Sequence, residues 1–201
     1  MNYLAHALLG DHSPQGLVGA LLGDFVKGRA DDLERDWPSE VARGIRLHRA
    51  IDRFTDAHDA HRRSRNRFRA PRRRFAGIIV DICYDHFLAA GWERFSARPL
   101  PEFTAAVYGA LQSHHDHLPG RLASIVPRMV ERDWLGSYQE LPRVGRAIDG
   151  VGTRVRGGEA MQGAIEDVQA DYAAFQGDFD AFFPELAAFV SDWKRTHAAM
   201  A

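Results

Sequence analysis

The chain has 201 residues, 45% hydrophobic and 26% charged, which is enough apolar material for a sizeable core and argues against long disordered stretches. Twenty-six basic side chains oppose 27 acidic ones, so the net charge of −1 gives no whole-chain attraction to nucleic acid. The single cysteine, Cys83, excludes an intramolecular disulfide and is compatible with a reducing cytoplasm; inside an apolar stretch it reads as a buried, inert thiol.

The first residues, Met1-Asn2-Tyr3, carry no basic region, and His6, Asp11 and His12 interrupt the apolar character, so no signal peptide is expected. The apolar run Leu17–Leu22 is far shorter than the roughly 20 residues that span a bilayer. A cytoplasmic protein without membrane attachment is the expectation.

Helical periodicity then dominates. Leu17, Ala20, Leu21 and Phe25 predict a helix over 15–28, started by Ser13-Pro14 and stopped by Gly28. Val41, Ile45, Leu47, His48, Ile51 and Phe54 predict a second from Ser39 to about Arg62, opening at Pro38-Ser39-Glu40. Pro71 opens a third, whose broad apolar face from Phe75 to Leu88 marks the central buried helix. Further helices are predicted over 101–115, 120–134, 138–155, 159–176 and 179–198, with Gly150 to Gly158 as a loop or kink. Strand signals are weak throughout, and no linker or repeat divides the chain. An all-α, single-domain helical bundle over residues 1–201 is expected.

Several polar groups need an explanation inside this apolar pattern. Asp24, in Leu-Leu-Gly-Asp-Phe, costs several kcal/mol if buried unpaired, so it calls for a cation, an arginine or a helix end to cap. His48 and Asp52 stand at i, i+4, which puts a nitrogen and an oxygen on one helix face, suited to a metal ion or a surface contact; Asp56 extends the stripe. Asp81, Asp85 and His86 fall on the predicted core helix, where a divalent ion or buried arginines would neutralise them. His6 reads as a satisfied core residue or a proton carrier. His114, His115 and His117 precede Leu-Pro-Gly and are expected in an exposed connection without ligand duty.

Between 62 and 74 lie Arg62, Arg63, Arg65, Arg67, Arg69, Arg72, Arg73 and Arg74, with no acidic residue among them. Such a patch speeds encounter with a negative partner, whether acidic protein, phosphate or nucleic acid, unless it is a solvated turn. Nucleic acid is disfavoured, because only Phe68 interleaves the arginines and no nucleic-acid module is recognisable.

The segments Asn2-Tyr-Leu-Ala-His6, Gly19-Ala-Leu-Leu-Gly-Asp24-Phe-Val-Lys-Gly28, Gly44-Ile-Arg-Leu-His48-Arg-Ala-Ile-Asp52 with Thr55-Asp56, and Asp81 with Asp85-His86-Phe-Leu88 together resemble the acyl carrier protein phosphodiesterase family. A weaker match continues at Trp134-Leu135 and Tyr138, and the resemblance is loose after about residue 140. It implies a relation to the HD phosphohydrolases, an all-α fold, dependence on Mn²⁺ or Mg²⁺, and hydrolysis of holo acyl carrier protein to apo protein and 4′-phosphopantetheine, within fatty acid metabolism. On this reading Asp24, His48, Asp81, Asp85 and His86 hold the metal. Asp24, His6 and Asp52 serve catalysis, and the eight arginines dock the acidic carrier protein. The competing readings are an HD-like phosphohydrolase of a small nucleotide or phosphoester, and a non-catalytic helical module that binds an acidic protein.

Overall fold

Apolar residues recurring every three to four positions must be buried on one face of each helix, and the helices therefore close around a shared interior. The computed structural model describes residues 1–28 and 32–197. Among them are eleven α-helices and no β-strand. These are α1 (Tyr3–Leu9), α2 (Pro14–Leu22), α3 (Leu33–Asp36), α4 (Ser39–Ala57), α5 (Asp59–Arg67), α6 (Ala76–Ala90), α7 (Leu100–Ser113), α8 (Gly120–Glu131), α9 (Leu141–Gly152), α10 (Ala164–Ala170) and α11 (Tyr172–Thr196). Short 3-10 turns link several of them. None of these helices is long and apolar enough to cross a membrane.

The central helix is α6, buried from Ile82 through Ala89 and packed against α1, α5, α9 and α11. One contiguous core runs from Met1 to Val190 and includes Cys83, whose thiol is pushed up by burial and stays protonated.

The helix boundaries depart from the sequence reading at identifiable residues. The helix predicted to Gly28 ends at Leu22, and Gly23 and Asp24 lie in the turn beyond it. The predicted 39–62 segment is two helices, because His58 adopts an extended ψ of 135° and its side chain accepts from Ala60 N–H to start α5. The predicted 159–176 helix is interrupted at Gly163, with φ of 67°, a left-handed conformation suited to glycine. The final helix begins at Tyr172 rather than 179, and residue 198 of its predicted span lies outside the described residues. Two elements, α1 and α3, carry too few residues to show a period.

A candidate metal centre and the cavity beside it

The site is built at the crossing of α2 and α4. Gly19 and Gly44 face each other there, and a Cβ on either would overlap the opposing backbone. This contact brings the Ala20 carbonyl to His48, whose Nδ1–H donates to it at 2.7 Å. That bond fixes the ring and aims Nε2 toward Asp52 at 3.1 Å and Asp24 at 3.4 Å. Gly23 leaves the space that the His48 ring fills.

The third wall, and the second to bear an imidazole, is α1. Both oxygens of Asp85, on α6, accept backbone N–H groups at its start, from Leu4 at 2.7 Å and Ala5 at 3.0 Å. The carboxylate thus satisfies donors that a helix start otherwise leaves open. Held this way, α1 presents His6 so that its ring stacks on His48 at 3.6 Å, and its Nε2 lies 3.1 Å from Asp52. His6, His48 and Asp52 therefore each offer one ligand atom, all within 4.8 Å of one another.

Electrostatically the two imidazoles of this cluster differ. Burial and the charge of His48 push His6 down to about 4. Burial also works against charge on His48, but the hydrogen bonds to Asp24 and Asp52 prevail and raise it to about 9. Burial opposes ionisation of Asp52, yet the two imidazoles hold it well below the usual carboxylate range. His6 Nδ1 is buried without a partner. Two imidazole nitrogens and a carboxylate, with Asp24 adjoining, could hold a divalent ion, and such an ion would replace the proton on His48 Nε2.

Asp81 lies at the edge of the centre. It meets the Met1 amino group at 3.2 Å and His61 Nε2 at 3.0 Å, while the same amino group reaches Asp52 at 3.6 Å. Burial works against the charge of that amine, but Asp81 and Asp52 raise its pKa nonetheless. His61 was not singled out by the sequence. Its i, i+3 relation to His58 gives no metal pattern, and only the packing of α5 on α6 brings it to Asp81.

The remaining expected ligands are placed elsewhere. Asp85 has both oxygens on α1, and burial pushes its carboxyl up to about 7 against those two donors. His86 spends Nδ1–H on the Tyr138 carbonyl at 2.7 Å and sets Nε2 against Tyr172 Oη at 2.9 Å, and burial lowers its pKa. Neither joins the cluster of His6, His48 and Asp52. The spacing misled because adjacent residues on a helix point about 100° apart, so Asp81, Asp85 and His86 cannot all share one face. Asp24 is not a buried carboxylate on a helix face: beyond the end of α2 its side chain is 52% exposed. His115 and His117 lie in an exposed 3-10 turn with His114 at its start.

The arginine segment is largely occupied by the protein's own carboxylates. Arg63 and Arg67 meet the buried Asp178 at 2.8 and 3.1 Å, and Arg67 also meets Asp171. Arg72 pairs with Asp167, Arg62 with Asp59 and Arg65 with Asp56. Arg73 bonds to Asn66 and the Arg65 carbonyl, and Arg74 lies over the Phe75 ring. These contacts tie α5 and the following turn to α10 and α11. The pairs with Asp167, Asp171 and Asp178 were invisible in sequence because those carboxylates arrive from about 100 residues away.

Two cavities open at this side of the molecule. One, of about 340 Å³, is lined by Met1, Asp24, Asp52, Asp56 and Asp81 and exposes the acidic centre. The other, of about 320 Å³, lies between α8 and α9 and shares Asn2, Tyr3, Ile82 and Val151 with it.

Fold and site together define an all-α protein with a histidine–carboxylate centre suited to a divalent cation. The sequence profile of the acyl carrier protein phosphodiesterase family matches residues 1–186, well past residue 140, where the resemblance loosens by eye. The chain is similar to the acyl carrier protein phosphodiesterases of Serratia proteamaculans, with 33% identity over 92% of this chain and 95% of that one, and of Yersinia pestis, with 31% identity over the same shares. Its similarity to that of Escherichia coli O157:H7 is 32% over 95% of this chain and 98% of the relative. No solved structure matches. The chain belongs to the acyl carrier protein phosphodiesterase family.

Proposed function

We propose that this protein hydrolyses holo acyl carrier protein to the apo protein and 4′-phosphopantetheine. Family membership over nearly the whole chain, joined to the convergence of His6, His48 and Asp52 within 4.8 Å, carries this reading.

In it, His6, His48 and Asp52 hold Mn²⁺ or Mg²⁺, with Asp24 completing the set from the solvent side. The bound ion supplies Lewis acidity at a phosphoryl oxygen and at water. Water adds to phosphorus, the bond from phosphorus to the protein's serine oxygen breaks, and that oxygen takes a proton. His48 is oriented for ligation by the Ala20 carbonyl, which keeps the Nδ1 proton in place. Asp81 and His61, beside the ligands and in mutual contact at 3.0 Å, hold a proton between Oδ1 and Nε2 within reach of the centre.

The eight arginines from 62 to 74 meet five carboxylates, Asp56, Asp59, Asp167, Asp171 and Asp178, so the α5 face keeps surplus positive charge. That surplus, with Arg69 its least engaged member, supports docking of an acidic carrier protein in addition to the cluster's structural ties.

Mass spectrometry of holo acyl carrier protein incubated with this protein tests the reading. Loss of the phosphopantetheine mass with Mn²⁺, and none with chelator, is expected. An unchanged carrier protein under both conditions would refute it.

A further inference from the structure

The cavity between α8 and α9 has a composition that the acidic centre does not explain. Arg132, Arg146 and Arg154 line it, and none of them has an acidic partner among the described residues, whereas Arg143 beside them pairs with Glu140 at 3.0 Å. This contrasts with the α5 arginines, most of which meet a carboxylate. Three uncompensated guanidinium groups at one cavity, in a chain of net charge −1, form an anion-receiving wall.

The opposite character lines the rest of the cavity. Trp134, Tyr138, Ile125 and Val151 supply aromatic and aliphatic surface, and Asn2 donates from Nδ2 to Tyr138 Oη at 2.9 Å. A volume of about 320 Å³ matches a small-molecule limb rather than the broad, flat face of a folded protein. Because Asn2, Tyr3, Ile82 and Val151 line both cavities, a phosphorus atom at this shared boundary can face the acidic centre on one side and the arginines on the other while its substituent extends into this cavity.

We propose that this cavity is the subsite for the non-protein limb of the phosphodiester: Arg132, Arg146 and Arg154 bind its phosphoryl oxygens and the aromatic wall takes the amide-bearing chain. The inference rests on the reading of the centre given above and specifies which substituent lies on which side. It also gives the arginines a second use. Hydrolysis converts a diester of charge −1 into a monoester approaching −2, and the guanidinium groups of a cavity adjoining the acidic centre offset the added charge.

Calorimetric titration of the full chain in Mn²⁺ with 4′-phosphopantetheine, pantetheine and inorganic phosphate tests it without turnover. The double variant Arg146→Gln/Arg154→Gln should bind 4′-phosphopantetheine at least tenfold more weakly than the wild type. Pantetheine, which lacks the phosphate, should bind weakly and equally to both. Arg195→Gln, at a remote exposed pair with Asp192, should bind as the wild type does. Both altered side chains are exposed, and an unchanged melting temperature separates lost binding from lost folding. Equal affinity of wild type and double variant for 4′-phosphopantetheine would overturn the proposal. So would a loss confined to the intact carrier protein, which would make the wall a protein-docking surface. Failure of the wild type to hydrolyse holo carrier protein, with phosphomonoester binding intact, would instead sink the proposed reaction and leave the subsite standing.

Discussion

The imidazole rings of His6 and His48 lie parallel, 3.6 Å apart with 8° between their planes. Two imidazolium ions cannot occupy that stack, so the pair shares its charge unequally: His48 is held protonated to about 9, and His6 stays neutral down to about 4. A divalent cation held by His6, His48 and Asp52 would remove the need for that proton.

The first prediction concerns pH. His48 is raised from 6.5, so in chelated protein its contribution to stability is complete below pH 6.5 and lost as pH rises through about 9. His6 is lowered from 6.5, so its contribution is complete above pH 6.5 and lost as pH falls through about 4. The chelated protein should therefore be most stable near pH 6.5 with respect to this pair. Mn²⁺ competes with the His48 proton, so its stabilising effect should grow from pH 6.5 toward 9, reaching about 2.7 kcal/mol when the ion is a hundredfold above its dissociation constant. Melting curves across pH, with chelator and with Mn²⁺, measure both trends; a metal effect independent of pH would count against a protonated His48.

The second concerns Gly23. A methyl group there would overlap the His48 ring, so Gly23→Ala must displace the imidazole or the turn that carries Asp24. Mn²⁺ affinity should fall tenfold or more, while the remainder of α2 and α4 keeps its packing and the melting temperature drops by only a few degrees. Affinity equal to that of the wild type would show that His48 does not need its present seat.

The third separates Asp85 from the ligands. As a cap on α1, Asp85→Ala should cost about 1–2 kcal/mol and loosen His6. Asp85→Asn keeps one acceptor oxygen for one of the two N–H groups and should recover part of the stability and part of the Mn²⁺ affinity. A carboxylate ligand would not be rescued by the amide, so persistent loss in Asp85→Asn would return this residue to the metal.

The fourth concerns Asp178, which gathers Arg63, Arg67 and the Ser64 hydroxyl. Asp178→Ala leaves the buried Ser64 hydroxyl and two guanidinium groups without their shared acceptor, at a cost of about 1–3 kcal/mol. The urea midpoint should fall with an unchanged slope. A midpoint equal to that of the wild type would mean that these arginines bind α11 to no effect.

Fold class was readable from pattern, since buried faces of α4 and α7 repeat every three to four residues over several turns and α6 is apolar nearly all round. Helix ends were less so: α5 separates from α4 through the backbone of His58, a residue with no breaking tendency of its own. At the site, His48 and Asp52 were legible because both sit on one long helix. His6 drew attention, but its partnership with His48 depends on Asp85 anchoring a seven-residue helix from 80 positions away. Asp85 and His86 looked like ligands for a related reason: a charged group on a buried helix needs a partner, and the sequence does not say whether that partner is an ion, a helix start or a carbonyl. The same limit applied to Arg63, Arg67 and Arg72, whose neutralising carboxylates Asp167, Asp171 and Asp178 come from the distant α10–α11 region.

Calorimetric titration of Mn²⁺ into the wild type and into four single variants tests the metal centre most directly. His6→Ala, His48→Ala and Asp52→Ala should each weaken binding at least tenfold, while His86→Gln should bind as the wild type does. Undiminished affinity in the first three, or loss in His86→Gln alone, would contradict the centre described here.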